Sequence, residues 1–260
     1  MPLLEVEALS RSFGGVHAVQ DLTFEIDSGI IYSIIGPNGA GKTTVFNLVT
    51  GLYQPSSGHV IFNGNDVTGM RPHELAGLGM SRTFQNLQIC FNMSAAENVM
   101  VGAHLRLDQR LLSAMFRLPS VARRDATCRA EAEELMHYVG VGKYIGAAAD
   151  AMPYGALKRL EIARALAARP KLLLLDEPAA GLNPTETHEI DALIQKIAAS
   201  GVTVVLVEHD MKLVMGISSR ILVLDYGRRL AEGSAQDVRS NPDVVAAYLG
   251  GAVESTGRIA

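Results

Sequence analysis

Short apolar runs alternate with stretches of helical periodicity along most of the chain. Runs of branched aliphatic residues between turn residues are typical of strands. The pattern predicts strands at residues 3–9, 16–26, 30–35, 59–63, 172–175, 202–207 and 221–224, with helices between the later ones. Strands that are buried on both faces have this composition, so we expect an α/β fold with a mostly parallel sheet covered by helices.

The middle of the chain has a different pattern. Residues 87–157 show helical periodicity but contain no run that predicts a strand. The clearest helix is predicted at residues 122–138, with Glu131, Glu133 and Glu134 on one side. We therefore expect a helical subdomain at residues 87–157, inserted into an α/β core formed by residues 1–86 and 158–260.

A glycine-rich stretch between a predicted strand and a predicted helix carries the strongest chemical pattern. It matches G-x-x-x-x-G-K-[ST], and its residues are Gly36, Pro37, Asn38, Gly39, Ala40, Gly41, Lys42 and Thr43. In this context the backbone N–H groups and the helix start bind phosphate oxygens. We expect Lys42 to reach the β- and γ-phosphates of a nucleotide and Thr43 to bind Mg²⁺, with Thr44 as a further hydroxyl near the phosphates. A glycine turn without a ligand is the alternative, which this context disfavours.

Two carboxylates follow a run of leucines. Asp176 and Glu177 come directly after residues 172–175, which are all leucine. Buried strands bring such carboxylates to the edge of a parallel sheet, where ligands bind. We expect Asp176 to bind Mg²⁺ and Glu177 to act as the general base that activates water. Taken alone, the pair could be solvated acids at a strand end, and the upstream phosphate-binding pattern favours the functional interpretation.

Two further polar residues are candidates for the same site. His209 follows the predicted strand at residues 202–207, which we expect beside the carboxylates, so His209 is expected to contact the γ-phosphate and Glu177. Gln85 lies where the core gives way to the helical segment, and we expect it to sense Mg²⁺ or the attacking water. A histidine at a strand end is more often structural or solvated, so its assignment depends on the neighbouring site.

Composition restricts the classes of function. The 260 residues are 48% hydrophobic and 19% charged, which is ordinary for a globular α/β protein. A formal net charge of -4 gives no field that would bind nucleic acid. Cys90 and Cys128 lack the spacing of metal ligands. The first residues do not resemble a signal peptide and no apolar run is long enough to span a bilayer, so we expect any role at a membrane to depend on a partner.

These motifs and their order resemble those of ABC transporter ATP-binding subunits over nearly the whole chain. The resemblance implies a P-loop NTPase (RecA-like) fold, with a mostly parallel sheet core, an antiparallel β region and the inserted helical subdomain. It also implies an ATPase that uses ATP and Mg²⁺. In this family an aromatic residue near the N-terminus stacks on adenine, and Phe13 occupies that position. Without the resemblance, core packing would be the better interpretation of Phe13.

Within that family, the chain resembles the larger ATP-binding subunit of high-affinity branched-chain amino acid importers. The resemblance lies in residues 178–184, 208–216 and 241–250 and in the length of the segment after Gln85, although Asn183 replaces a more usual Asp. It implies a peripheral subunit at the cytoplasmic face of the inner membrane, bound to two integral membrane permease subunits and served by a solute-binding protein. The alternatives are the same role for urea, other amides or other solutes, and a non-transport ABC ATPase.

The chain departs from the family at the signature, usually L-S-G-G-Q at a helix start, which each of two subunits offers to the other's ATP. The matching residues 152–156 keep Tyr154 and Gly155 as nucleotide-binding candidates, whereas Pro153 and Ala156 replace the usual serine and glutamine. Losing one hydrogen bond to a charged phosphate costs about 1.5–3 kcal/mol. We therefore expect pairing with a second, different ATP-binding subunit and two unequal sites, with a homodimer as the alternative.

Four apolar residues after Gln85 alternate with other residues, and this pattern has two interpretations. Leu87, Ile89, Phe91 and Met93 alternate with mostly polar or small residues. Two interpretations remain open, a groove that accepts a short permease helix and packing of the helical subdomain on the core.

Other classes of ATPase fit the sequence less well. A switch GTPase needs an Asn-Lys-x-Asp motif, which is absent from the chain. A small kinase does not need the strand end at His209 or the signature-like helix start. An ABC ATPase of DNA or the ribosome would usually carry long coiled coils or two fused halves. The intact Glu177 argues against a regulatory subunit that does not hydrolyse ATP.

Overall fold

The structure is a computed structural model that describes residues 2–106 and 119–254. The strands in these residues are β1 (Leu4–Phe13), β2 (Val16–Ile26), β3 (Ile31–Ile35), β4 (Ser57–Phe62), β5 (Asn65–Asp66), β6 (Met80–Arg82), β7 (Leu172–Asp176), β8 (Thr203–Val207), β9 (Arg220–Asp225) and β10 (Arg228–Gly233). The α-helices are α1 (Lys42–Val49), α2 (Pro72–Leu78), α3 (Ala95–Gly102), α4 (Pro119–Tyr138), α5 (Tyr154–Ala167), α6 (Pro184–Ala199), α7 (Met211–Ile217), α8 (Ala235–Ser240) and α9 (Pro242–Glu254). Short 3₁₀ helices cover His104–Arg106, Gly142–Tyr144 and Ala149–Ala151.

The strands form two sheets. A four-stranded sheet with the order β2-β1-β4-β5 is antiparallel. A six-stranded sheet has the order β10-β9-β3-β8-β7-β6, in which only the β9–β10 pair is antiparallel. The predicted fold class, a mostly parallel core sheet with an antiparallel β region and helices, is thus confirmed.

Two large apolar clusters hold the sheets and the helical layer together, and a smaller third one packs the C-terminal helices on β3 and β9. One large cluster lies between the two sheets and includes Val6 of β1, Tyr32 of β3 and Phe46 of α1. The other lies on the opposite side of the six-stranded sheet, where Val99 of α3 and Leu160 of α5 pack with helix α4, helix α6 and strand β7. Helices α3, α4 and α5 thus form a helical layer on that side, and α5 extends ten residues beyond residue 157, into the segment predicted to belong to the core. The domain boundaries at residues 86 and 157 stay a prediction.

Three strands were not predicted, for reasons that differ. Strand β5 has only two residues, too few for any periodicity. Strand β6 contains the polar residues Ser81 and Arg82, so its three residues do not form an apolar run. Strand β10 is an edge strand with exposed Arg228 and Arg229, and it pairs on one side only. Short and edge strands lack the alternation on which the prediction depends.

The topology brings several candidate side chains to one edge of the larger sheet. Strands β3, β6, β7 and β8 are parallel, so their carboxyl ends meet at that edge. These ends lead directly into Gly36, Thr83, Glu177 and Glu208. Within the described ranges, no helix is long and apolar enough to cross a bilayer.

Candidate functional site

The glycine-rich loop joins β3 to the start of α1. Gly41 has a φ of 99°, in the left-handed region, and a Cβ at this position would lie 2.5 Å from the backbone oxygen of Ala18 on β2. A Cβ at Gly36 would collide with the backbone oxygen of Leu224 on β9. Neighbouring backbone therefore requires glycine at both ends of the loop. The loop is held further by the N–H of Gly227, which donates to the oxygen of Ala40 at 3.0 Å.

Lys42 lies against the loop that precedes it. Its Nζ donates to the backbone oxygens of Gly36 at 2.7 Å and Pro37 at 2.9 Å. Burial lowers the pKa of Lys42, and the negative charges of Glu177 and Asp176 oppose that shift. The ammonium is thus close enough to both carboxylates to interact with them. No side chain caps the start of α1, so its first N–H groups are available to a phosphate.

Asp176 forms a buried ion pair that sequence reasoning missed. Arg82 NH2 lies 2.7 Å from Asp176 Oδ2, and the two side chains are only 8% and 4% exposed. NH1 of the same arginine donates to Asn47 Oδ1 at 2.6 Å and to Thr50 Oγ1 at 3.0 Å, near the end of α1. Arg82 thus ties the phosphate-loop helix to the strand that carries the carboxylates. A charged residue three positions before Gln85 was the only sequence feature that indicated it.

Glu177 contacts Gln85 and its predicted neighbour His209. Gln85 Nε2 donates to Glu177 Oε2 at 3.2 Å, and Nδ1 of His209 lies 3.9 Å from the same oxygen. Glu177 has a φ of 47°, and its N–H donates to the backbone oxygen of Val207 at 2.9 Å. A non-glycine residue at positive φ is uncommon and persists where its surroundings hold it. The structure therefore brings together the three residues predicted to be catalytic.

Glu208 is a second buried carboxylate beside this group. Its Oε1 accepts from the N–H of Ala179 at 2.9 Å and its Oε2 from the N–H of His209 at 3.2 Å. Burial raises the pKa of Glu208, and hydrogen bonds from those two N–H groups and the N–H of Asp210 oppose the shift. Glu208 thus joins the end of β8 to the segment after Glu177, a role that its place in the motif did not indicate.

Phe13 lies at the end of β1, where the chain turns into β2. Its side chain is 38% exposed. The guanidinium carbon of Arg11 lies 4.7 Å from the ring centre, and the Tyr53 ring packs edge-on at 5.3 Å. Strand β2 continues to Ala18, which contacts the phosphate loop at Gly41. The β1–β2 hairpin therefore connects this aromatic residue to the phosphate loop.

The signature-like residues begin helix α5. Pro153 is the N-cap residue, and its oxygen accepts from the N–H groups of Ala156 and Leu157, both at 3.0 Å. Proline fits here because a residue that precedes the helix needs no N–H. Tyr154 is exposed and lies near Gly181, and Gly155 lies against the side chain of Glu186. The contacts found for Tyr154 and Gly155 thus lie within α5, at Lys158 and Arg159, and towards Gly181 and α6, and none of these is with the phosphate loop.

Asn183 caps helix α6. Its Oδ1 accepts from the N–H of Glu186 at 3.0 Å, and Glu186 Oε2 accepts from the N–H of Asn183 at 3.1 Å. Asn and Asp are about equally good caps, since either offers an oxygen to that N–H. The capping interaction therefore does not depend on the Asp that is more usual in the family.

Comparisons with known proteins show the family of this chain. A family model described as ABC transporter matches residues 19–180, and one described as Branched-chain amino acid ATP-binding cassette transporter matches residues 228–254. BraF, the high-affinity branched-chain amino acid transport ATP-binding protein of Pseudomonas aeruginosa, is 44% identical, with 96% of this chain and 98% of BraF covered. LivG of Escherichia coli K12 has the same description and coverage and is 43% identical.

Solved structures give the same result. The crystal structure of a nucleotide-free ATP-binding cassette from an ABC transporter has a TM-score of 0.83 and 29% identity, with 95% of this chain and 99% of that chain covered. An ATP-binding cassette of an ABC transporter in its ADP conformation also has a TM-score of 0.83 and 29% identity, with 96% and 99% covered. The similarity extends over almost the full length of these cassettes.

Proposed function

This chain belongs to the family of ABC transporter ATP-binding subunits, and on that premise we propose that it powers the import of branched-chain amino acids. As a member of the family it is an ATPase that binds nucleotide and works with membrane permease subunits. The substrate proposal is supported by the names of its relatives, BraF and LivG, and by the family match at residues 228–254. The observation that carries the ATPase chemistry is the group formed by Gln85, Glu177 and His209 beside the phosphate loop.

The proposed nucleotide site runs from Phe13 to the phosphate loop. Phe13 stacks on adenine, the loop N–H groups and Thr44 bind phosphate oxygens, and Lys42 leaves its loop carbonyls for the β- and γ-phosphates. The present bonds of Lys42 to Gly36 and Pro37 support this role, because they hold the ammonium at the loop, where a phosphate would replace the two carbonyl oxygens.

Oxygen ligands for Mg²⁺ are proposed to come from Thr43, Asp176 and Gln85. Hydroxyl, carboxylate and amide oxygens suit Mg²⁺, which usually binds few protein groups together with substrate phosphates. The described part of the chain contains no group of three or more His, Cys, Asp or Glu residues that could hold a metal by itself. The ion would neutralise charge on the phosphates. Arg82 holds Asp176 Oδ2, leaving Oδ1 as the proposed ligand.

Glu177 is the proposed general base for the attacking water. Its carboxylate is 22% exposed, so water can reach it while the site remains partly dry. Gln85 orients the carboxylate through its 3.2 Å hydrogen bond, and His209, 66% exposed, is free to contact the γ-phosphate. General acid–base catalysis contributes about 10²–10⁴-fold to a rate.

The proposed assembly contains two permease subunits, this subunit and a second, different ATP-binding subunit, and a solute-binding protein serves it. The altered signature supports unequal sites, because Pro153 offers neither a hydroxyl nor an N–H to the partner's ATP. The assembly would hold this subunit at the cytoplasmic face of the inner membrane, where ATP is supplied.

A groove beside the phosphate-loop helix is the proposed docking surface for a permease helix. It has a volume of about 460 Å³, and its walls include Leu52, Phe84 and Val101, all partly exposed. Of the four alternating residues, Phe91 and Met93 are exposed, whereas Ile89 is buried and Leu87 packs on the core. None of the four lines this groove, so packing on the core describes Leu87 and Ile89, and a permease contact at Phe91 and Met93 stays a proposal.

Affinity purification with a tagged Glu177→Gln chain tests the proposal. We expect the variant to bind ATP, hydrolyse it at least about 10²-fold more slowly, and retain two permeases and a second ATP-binding subunit from native membranes with ATP and Mg²⁺. Glu134→Gln is the control. Glu134 is exposed on α4, so this variant should keep full turnover.

The solute is tested in the native host by complementing a deletion of this chain. Uptake of leucine that the wild-type gene restores and Glu177→Gln does not would support the substrate proposal. Restored uptake of urea with unchanged leucine uptake would replace it with an amide. Recovery of ribosomal or DNA-associated proteins in place of permeases would overturn the transport function.

A further inference from the structure

Lys158 is a buried lysine in helix α5, only 3% exposed. Burying an ammonium is costly unless polar groups replace its water. Its Nζ donates to the backbone oxygen of Gln85 at 3.2 Å and to that of Glu177 at 3.5 Å, and it lies 5.8 Å from the centre of the Tyr154 ring. A single ammonium is thus held by the backbones of two residues from different parts of the chain.

The side chains of those two residues also meet. Gln85 Nε2 donates to Glu177 Oε2, so Lys158 holds the backbones on both sides of one functional hydrogen bond. Glu177 is in the left-handed region and is anchored to β8 through the oxygen of Val207. The Lys158 ammonium is the corresponding anchor from the side of α5. Loss of the Lys158 ammonium would free the backbone oxygen of Gln85, a residue that is exposed.

The same face of α5 holds the far end of the segment formed by residues 85–88, here called the Q segment. Positions 158, 161 and 164 are three apart and share one side of the helix. Glu161 Oε1 accepts from the N–H of Gln88 at 3.4 Å, and Arg164 NH1 donates to the backbone oxygen of Gln88. Helix α5 therefore forms hydrogen bonds with the Q segment at both of its ends.

Helix α5 begins at Tyr154 and Gly155, the residues proposed to face the nucleotide of the other ATP-binding subunit. We propose that Lys158 is a positioning residue that couples the start of α5 to the hydrogen bond between Gln85 and Glu177. Displacement of α5 by the partner's nucleotide then moves the carbonyls that Lys158 holds, and so changes the orientation of the base. This inference rests on the proposed roles of Glu177 and of the signature-like residues.

The test measures ATP turnover against ATP concentration in the complex purified through a tag on this chain. Lys158→Met keeps most of the side-chain volume and removes the charge. We expect it to lower kcat about tenfold or more, because a misplaced base is a poor base, while the Kd for ATP stays within about twofold of the wild type. Lys158→Arg, which keeps the positive charge and N–H donors, should recover most of the rate.

Lys196, on α6, provides a control with the same kind of contact at an exposed position. Its Nζ donates to a backbone oxygen, that of Tyr138, at 2.9 Å and lies 3.8 Å from the centre of the Tyr138 ring. Lys196→Met therefore removes the same kind of contact away from the site, and we expect unchanged turnover. If Lys158→Met does not assemble, Lys158→Gln, which removes the charge and keeps an amide donor group, replaces it in the same comparison.

A double-mutant cycle with Gln85→Ala separates positioning from general stability. If Lys158 acts through Gln85 and Glu177, the effect of Lys158→Met on kcat should shrink to within about twofold in the Gln85→Ala background. The same fold loss in both backgrounds would overturn the inference, and so would wild-type kcat in Lys158→Met. Glu177→Gln in the same assay separates the two failures, since retained turnover there would remove the base assignment itself.

Discussion

Phe13 has neighbours that fix its ring before any nucleotide binds. Arg11 lies over the ring while its NH1 donates to the backbone oxygen of Gln54 at 2.8 Å, and Tyr53 supports the ring edge-on. A side chain that is already ordered loses little entropy when a flat ligand stacks on it. These contacts support the proposed adenine site at the scale of a single residue.

Phe13→Ala should weaken ATP binding without affecting the phosphate loop. Stacking on a base contributes about 1–3 kcal/mol, so we expect the Kd for ATP to rise by about 5- to 150-fold. Isothermal titration of the purified protein measures it. Tripolyphosphate, which has no base, is the control ligand and should bind the variant and the wild type equally. Equal losses for both ligands would show that Phe13 supports the loop and not the base.

The phosphate loop is an element whose glycines have different surroundings. Gly41 and Gly39 both have positive φ values, 99° and 81°. A Cβ at Gly41 would meet the oxygen of Ala18 at 2.5 Å, whereas a Cβ at Gly39 has no atom within 4 Å. Backbone strain is common to the two positions, and steric overlap belongs to Gly41 alone.

Alanine at the two positions should therefore destabilise the fold to different extents. We expect Gly39→Ala to lower the free energy of unfolding by about 1–2 kcal/mol, the cost of a left-handed alanine. Gly41→Ala adds a methyl group that must displace backbone, for a total of about 2–5 kcal/mol. Urea unfolding without nucleotide measures both. Equal losses would mean that the loop moves away from β2 at little cost.

At the scale of the whole molecule, the buried carboxylates Glu161 and Glu208 join segments that are distant in the sequence. Glu161 joins helix α5 to the Q segment, and Glu208 joins β8 to the segment after Glu177. Burial raises the pKa of both above the ordinary value of 4.5. A carboxyl whose pKa is raised by folding stabilises the fold while it is protonated, and that contribution is lost as the pH rises through the raised pKa.

Glu208→Gln should remove one of these contributions. We expect the difference in unfolding free energy, wild type minus variant, to fall as the pH rises above about 4.5. Urea unfolding at a series of pH values measures it. Asp237→Asn is a control of opposite sign, because hydrogen bonds from Ser234 lower the pKa of Asp237. The difference in unfolding free energy between the wild type and Asp237→Asn should therefore grow as the pH rises towards 3.8. A difference for Glu208→Gln that does not change with pH would contradict the prediction.

The sequence by itself was sufficient to predict the parallel core, the phosphate loop and the carboxylate pair. These features depend on residues that are adjacent in the sequence. The carboxylate pair follows a run of leucines, the phosphate loop has its glycines just before Lys42, and a further apolar strand of the core precedes His209. Their local order also determines which sheet edge they reach, because parallel strands bring their carboxyl ends together. Family membership follows from the same motifs, since they occur together and in one order.

Only the tertiary structure decided what holds these groups in place. Arg82 and Asp176 are 94 positions apart, and Lys158 and Gln85 are 73 apart. In the sequence, Arg82 and Lys158 are ordinary cations, and a cation on a helix or strand more often faces solvent. Their importance comes from burial, which makes each charge depend on specific partners. Those partners are a carboxylate and two backbone carbonyls, and backbone carbonyls occur at every residue and leave no pattern in a sequence.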